Sequence, residues 1–154
     1  MKIVIMRHGE AEHFADSDAQ RALTPFGRAA SKAVAEACVK QGLAKFDKAL
    51  VSPYLRAQQT WQEISAHFDA LSVEECADIT PYGDSPHVVD YLNAIIEVEK
   101  LESVLLVSHL PLVGYLTAEL VADIAPPMFP TSGLACIDYD PVSGKGELLW
   151  NINP

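Results

Sequence analysis

The chain has 154 residues, a net charge of −10, 49% apolar side chains and 21% charged ones. That length and balance suit one globular domain over 1–154 with a proper core, and they exclude a disordered chain. The acidic excess argues against nucleic acid, because little here could neutralise a run of phosphates, and no apolar run approaches the roughly 18 residues of a membrane span.

Taken in order, the elements begin with Ile3-Val4-Ile5-Met6, a short apolar run read as a buried strand. It ends abruptly in Arg7-His8-Gly9. Gly9 lets the backbone turn tightly or approach a ligand closely. A polar, aperiodic stretch to about Gln20 follows as a loop. Thr24-Pro25 is a good N-cap and first helical position, and Gly42 suits the residue after the last turn, so a helix is predicted over about 25–41. Lys48 to Ser52 is a short strand stopped by Pro53. Tyr54 to Phe68 carries Leu55, Trp61, Ile64 and Phe68 at helical steps, and Leu71 to Cys76 reads as a third strand. Thr80 to Pro86 is a turn-rich loop, and His87 to Lys100 is helical through Val88, Tyr91, Leu92, Ile95 and Ile96.

Ser103 to Ser108 is the clearest strand, a continuous apolar run of the kind buried on both faces of a parallel sheet. His109 follows it directly. Pro111 to Val121 is again helical, Ala125 to Gly133 is a proline-broken loop, and 134–139 with 147–152 form a terminal hairpin. No repeat or composition shift divides the chain. Strands alternating with helices predict a three-layer α/β/α sandwich with a mainly parallel central sheet.

Three strands therefore end in chemistry: Arg7-His8, Ser52 to Arg56, and Ser108-His109. Parallel strands that share an edge would bring these groups together in the crevice where open α/β sheets bind ligands. Arg7, Arg21, Arg28 and Arg56 all lie in the first 56 residues, and beyond them only Lys100 and Lys145 are basic. An acidic chain that gathers its arginines this way suits one compact anion. Arg56 falls in the first turn of its helix, near backbone amides that favour anions. Arginines grip non-bridging phosphoryl oxygens bidentately. Near-neutral histidines allow one to attack while the other donates.

Arg7-His8-Gly9, Ser52-Pro53 with Arg56-Ala57 and Thr60, and Ser108-His109 resemble the motifs of the histidine phosphatase superfamily, which has the phosphoglycerate mutase-like fold. The stretches 5–9, 50–58, 108–116 and 126–129 are similar to the SixA group of phosphohistidine phosphatases, a resemblance that runs over essentially the whole chain. It implies that His8 is the nucleophile and that Arg7, Arg56 and His109 hold the equatorial oxygens of a loose transition state. It also implies that Gly9, Arg21, Asp18 and Leu110 belong to the phosphate and substrate site, Arg21 and Asp18 at its mouth. The implied partner is the phosphorylated histidine-containing phosphotransfer domain of a hybrid sensor kinase, or a related phosphocarrier protein.

One departure from the wider superfamily is informative. Mutases and phosphomonoesterases of this fold usually supply a carboxylic acid from the segment after the second strand and helix, whereas here the matching stretch is Ile79-Thr-Pro-Tyr-Gly-Asp84 with Pro81 in that place. An ester needs the acid because its alkoxide is nearly as basic as hydroxide, from water of pKa ~15.7. Phosphohistidine releases imidazole, with a pKa of about 6.5, so absence of the acid fits an N-linked phosphoryl group. Asp84, Asp78 and Glu75 remain alternatives, and with them a small-molecule phosphomonoesterase; a non-catalytic phosphate-binding module is the third reading.

No His, Cys, Asp and Glu cluster has metal-ligand spacing, and arginines supply the charge that Mg²⁺ gives elsewhere, so neither metal nor cofactor is expected. Cys38, Cys76 and Cys136 read as reduced structural thiols. The N-terminal run is too short for a signal peptide. A cytoplasmic monomer is expected. Glu10, Glu12, His13, His67 and His87 are read as surface residues, and Trp61 and Trp150 as core.

Overall fold

The computed structural model describes residues 1–154. Strand β1 (Lys2–Arg7) is followed by α1 (Pro25–Lys40), β2 (Lys45–Phe46), β3 (Lys48–Val51) and α2 (Leu55–Ile64). Next come β4 (Asp69–Ala70), β5 (Val73–Glu75), α3 (Ser85–Glu99), β6 (Ser103–Ser108) and α4 (Leu112–Leu120), then the hairpin β7 (Leu134–Asp140) and β8 (Lys145–Ile152). Six strands form one sheet in the order β5-β3-β6-β1-β7-β8. The first four of that order run parallel, and β7 and β8 complete one side antiparallel.

The central strands are apolar throughout because both faces are covered. Alternation sends Ile3, Ile5, Leu50, Val104 and Leu106 to one face, where they pack with Val88, Leu92 and Ile96 of α3 and Leu112 and Leu116 of α4. Val4, Met6, Ala49, Val51, Leu105 and Val107 point to the other face and meet Val34, Ala35 and Cys38 of α1 and Ala57 and Ile64 of α2. These two cores make the three-layer α/β/α sandwich. At the start of α1, the Thr24 hydroxyl accepts from the Gly27 N–H, as its N-cap role requires. Gly42 stands just past the end with φ +94°, the left-handed conformation that an L side chain resists.

Several predicted boundaries shift. The second helix stops at Ile64 and not at Phe68, because Phe68 leaves the helical path to pack edge-on against Phe46, ring centroids 5.2 Å apart. That contact accompanies a small parallel pair, β2 with β4, which no periodicity in two-residue segments announces. Of the predicted strand 71–76 only Val73–Glu75 forms a strand, the short, exposed edge strand β5, and β4 precedes it outside those bounds. The third helix begins two residues early, at Ser85 with Pro86 in its first turn. Trp61 and Trp150 are half-buried at the rim of the second core and not inside it. Within the predicted loop, Asp18–Gln20 form a 3₁₀ turn. No helix is long and apolar enough to cross a membrane.

Candidate active site

Strand register assembles the site. Met6 and Val51 both pair with Val107, so Ser52, Ser108 and Arg7 occupy the next row. The ladder continues past it: His8 N–H donates to the Ser108 carbonyl at 2.9 Å and Ser52 N–H to the Val107 carbonyl at 3.1 Å. Three strand ends thus deliver Arg7-His8, Ser52 and His109 to the C-terminal edge, and α2 starts at once with Arg56 in its first turn.

His8 is 7% exposed. Its Nδ1 lies 2.7 Å from the Gly9 carbonyl, which can only accept, so Nδ1 carries the ring proton. Nε2 is left unprotonated, and its lone pair accepts from Arg56 Nε–H at 3.3 Å. Burial drives the His8 pKa down to about 3; the hydrogen bond to Gly9 opposes this, while the Arg56, Arg7 and Arg21 charges add to it. The ring is therefore neutral at cellular pH with a nucleophilic nitrogen among guanidinium groups.

Around it stand the other predicted groups. Arg56 is 4% exposed; its Nη1 donates to the Asp18 carbonyl at 2.7 Å and its Nη2 to Asp18 Oδ2 at 3.1 Å. Its guanidinium carbon also lies 5.0 Å from the centroid of the Tyr54 ring. Arg7 Nη1 donates to the Phe129 carbonyl at 2.9 Å, which ties the strand end to the proline-rich loop. Burial, and then the Arg56 charge, lower the Arg7 pKa. His109 is fully buried with its ring centroid 5.0 Å from that of His8, and Tyr54 packs edge-on against it at 5.1 Å. Burial above all, aided by His8, Arg56 and Arg7, takes the His109 pKa to about 2. Two buried nitrogens, Arg7 Nε and His109 Nδ1, have no hydrogen-bond partner in the protein.

An open pocket of about 360 Å³ is lined by Arg7, His8, Arg21, Arg56, Leu110 and Asp18 among others, while the buried His109 is not part of that lining. The loop over 10–22 is pinned by a bridge between Ala11 and Leu23 and by the Leu23 N–H donating to Gln59 Oε1 at 2.7 Å. It thereby hangs Asp18 and Arg21 at the mouth, joined at 3.1 Å. Burial would raise the Asp18 pKa, but hydrogen bonds from Arg21 and Arg56 and their charges outweigh it and hold the carboxyl below its usual range.

Gly9 is buried and absent from the pocket lining. A Cβ there would stand 2.8 Å from the Gly27 carbonyl and from Ser31 Oγ, so the glycine permits close contact with α1. Its N–H donates to Thr60 Oγ1 at 3.0 Å.

Pro81 and Tyr82 line the pocket, whereas Asp84 does not. Ser108 Oγ donates to the Ile79 carbonyl at 2.7 Å and holds this segment against the strand end. Of the other carboxylates named from the sequence, Asp78 is 3.4 Å from His87, and Glu75 is exposed on the edge strand. The carboxylates that do line the pocket are Asp18 and Glu10. Glu10 and His13, read as surface residues, are exposed yet belong to this lining. Ser52, Tyr54 and Thr60 form the shell beneath; their presence in the Ser52 to Thr60 motif was their only signal.

In class, this is an α/β protein with an arginine-lined pocket and an unprotonated imidazole nitrogen at the C-terminal edge of a largely parallel sheet. The sequence pattern of the histidine phosphatase superfamily (branch 1) matches residues 3–80. Phosphohistidine phosphatase SixA of Escherichia coli (strain K12) is 42% identical over 158 residues, covering 100% of this chain and 94% of the relative. Its homolog in Haemophilus influenzae (strain ATCC 51907 / DSM 11121 / KW20 / Rd) is 41% identical over 160 residues, covering 98% of this chain and 94% of that protein. The structure of the protein histidine phosphatase SixA complexed with tungstate superposes with a TM-score of 0.93 at 42% identity, covering 100% of this chain and 97% of the other. The chain belongs to the histidine phosphatase superfamily and, within it, to the SixA type.

Proposed function

We propose that this protein is a phosphohistidine phosphatase that works through a phosphorylated His8, as one domain over 1–154. The observation that carries the reading is the neutral His8 with its unprotonated Nε2 facing Arg56, among Arg7 and Arg21. Two SixA relatives named as phosphohistidine phosphatases support the reaction class. A SixA structure complexed with tungstate, an oxyanion shaped like phosphate, supports the pocket.

In the first step the donor's phosphohistidine ring is protonated by solvent at its other nitrogen, the Nε2 lone pair of His8 attacks phosphorus, and the N–P bond of the donor breaks. Its electron pair stays on the donor nitrogen, and the ring leaves as neutral imidazole. In the second step water oxygen attacks the phosphoenzyme, the N–P electrons return to Nε2, one water proton goes to solvent and inorganic phosphate departs. Arg7 and Arg56 neutralise the equatorial oxygens in both steps. The unpartnered Arg7 Nε and His109 Nδ1 are donors suited to the same oxygens. Arg21, Asp18 and Leu110 form the mouth that meets the substrate. Pro81 and Tyr82, where esterases of this fold place an acid, leave a site suited to a leaving group of low basicity.

The substrate we assign is a phosphohistidine on a protein surface, that of a histidine-containing phosphotransfer domain or related carrier. The open pocket suits a group presented from outside. Three buried free thiols, Cys38, Cys76 and Cys136, suit a reducing compartment, and we place the protein in the cytoplasm as a monomer. One observation favours a second reading, a small-molecule phosphomonoesterase: Glu10 lines the pocket and could protonate an alkoxide.

The test is to incubate the protein with a radiolabelled phosphotransfer domain, p-nitrophenyl phosphate and sugar phosphates in parallel. Fastest loss of label from the phosphotransfer domain is expected, with an acid-labile phosphoenzyme that is absent in His8→Ala. Faster turnover of the esters, lost in Glu10→Gln, would reverse the order of the two readings. No phosphoenzyme and no turnover would make the protein a binding module.

A further inference from the structure

Ser52 belongs to the motif that carries Arg56, yet nothing in the chemistry above uses its side chain. It is completely buried, and its Oγ lies 2.7 Å from His109 Nε2. The same oxygen accepts from the Tyr54 N–H at 3.3 Å. Between these two groups the hydroxyl proton has one acceptor within reach, His109 Nε2. Were Nε2 protonated instead, Ser52 Oγ would face two donors and its own O–H would have no protein partner, at a residue closed off from bulk solvent. The His109 ring is neutral at cellular pH, because burial takes its pKa far down. It therefore holds one proton, and the hydrogen bond at one nitrogen decides that the other carries it.

We infer that Ser52 is a positioning residue: by donating to His109 Nε2 it fixes the tautomer in which Nδ1–H is the donor offered to the phosphoryl oxygens. Nδ1 is the buried ring nitrogen without a protein partner, on a ring 5.0 Å from that of His8. In the opposite tautomer the same atom would present a lone pair to an anion. Tyr54 completes the device, since its N–H occupies one side of Ser52 Oγ while its ring packs against His109. The inference rests on the reading of this pocket as a phosphoryl site, but the tautomer can be read without turnover.

Long-range ¹H–¹⁵N NMR of the wild-type protein is expected to show His109 protonated at Nδ1 and bare at Nε2. Added tungstate is expected to shift the Nδ1 signal and leave Nε2 unprotonated. A proton on Nε2, or a Nδ1 signal that tungstate does not move, would overturn the inference even if no variant folds. Ser52→Ala is expected to show a mixture of tautomers. Its kcat on a phosphohistidine protein is expected to fall about 10- to 100-fold, by analogy with the loss seen when the partner that orients a metal-binding histidine is removed, with KM changed less than about threefold. Wild-type kcat in that variant would also overturn it. If the wild type turns over no phosphohistidine but shows the Nδ1–H tautomer, its shift with tungstate and its loss in Ser52→Ala, the function proposed above fails while the Ser52–His109 coupling stands.

Discussion

At His8 and His109 the surroundings matter more than the side chain's own chemistry. An imidazole in water is half-charged near pH 6.5, whereas these two are pushed to about 3 and about 2 by burial beside guanidinium groups. The unfolded chain therefore binds protons that the folded chain refuses. Stability is full above about pH 6.5 and falls as pH drops toward the folded values, by at most about 1.4 kcal/mol per pH unit for each histidine. Urea midpoints measured between about pH 7 and about pH 5 are expected to decline. The decline should be shallower in a His8→Asn, His109→Asn double variant, and equal slopes would mean that other groups carry the acid sensitivity. Arg56 tests the proposed anion site at the same scale. Arg56→Ala is expected to lower phosphohistidine turnover about 10²- to 10³-fold, as loss of one transition-state donor does. Its far-ultraviolet circular dichroism should be unchanged, because removing the arginine also relieves its repulsion of Arg7.

At the scale of elements, two ends of the molecule carry measurable energy. Thr24 caps α1, the helix against which Gly9 packs, and Thr24→Ala is expected to cost about 1 kcal/mol in chemical denaturation. At the start of β3 the Lys48 side chain is 3% exposed and bonded to Glu74 at 2.9 Å and Glu99 at 2.7 Å, both carboxylates being partly in water. Burial lowers the Lys48 pKa, but the hydrogen bonds it donates to Glu99 and Glu74, with their charges, outweigh it and the net shift is upward. Removing both acids strands a buried cation, so Glu74→Gln with Glu99→Gln is expected to cost about 3–5 kcal/mol. Lys48→Met, which leaves two hydrated carboxylates behind, should change stability by less than about 1 kcal/mol. A larger loss in the lysine variant would show that the triad itself, and not avoidance of an unpaired charge, stabilises this edge.

At the scale of the whole molecule, a chain with a net charge of −10 keeps a cationic pocket because position outweighs sum. Parallel strands β3, β6 and β1 end together, and groups about a hundred residues apart in sequence meet there. Much of this was legible beforehand. Apolar runs at Ile3 to Met6 and Ser103 to Ser108 mark strands whatever surrounds them, and an abrupt polar residue after each marks the edge. Boundaries failed where long-range contacts override local preference: Phe68 leaves its helix for Phe46, and the two-residue pair β2 and β4 exists only because that packing brings it together. Trp150 stays at the rim because its strand is the outermost one.

What the amino-acid sequence determined alone was the inventory: which strands are buried, which residues end them, and that a histidine and several arginines converge on one edge. Periodicity and the arrest of an apolar run are local properties, so one dimension carries them. Only the tertiary structure decided that His8 Nε2 is the bare nitrogen, that Asp18 binds Arg56, that Asp84 stands outside the pocket and Glu10 within it, and that Gly9 serves packing against α1. Each of those depends on a hydrogen bond or close contact between segments distant in the chain. Such contacts exist only after the backbone has brought donors, acceptors and charges within a few ångströms of one another.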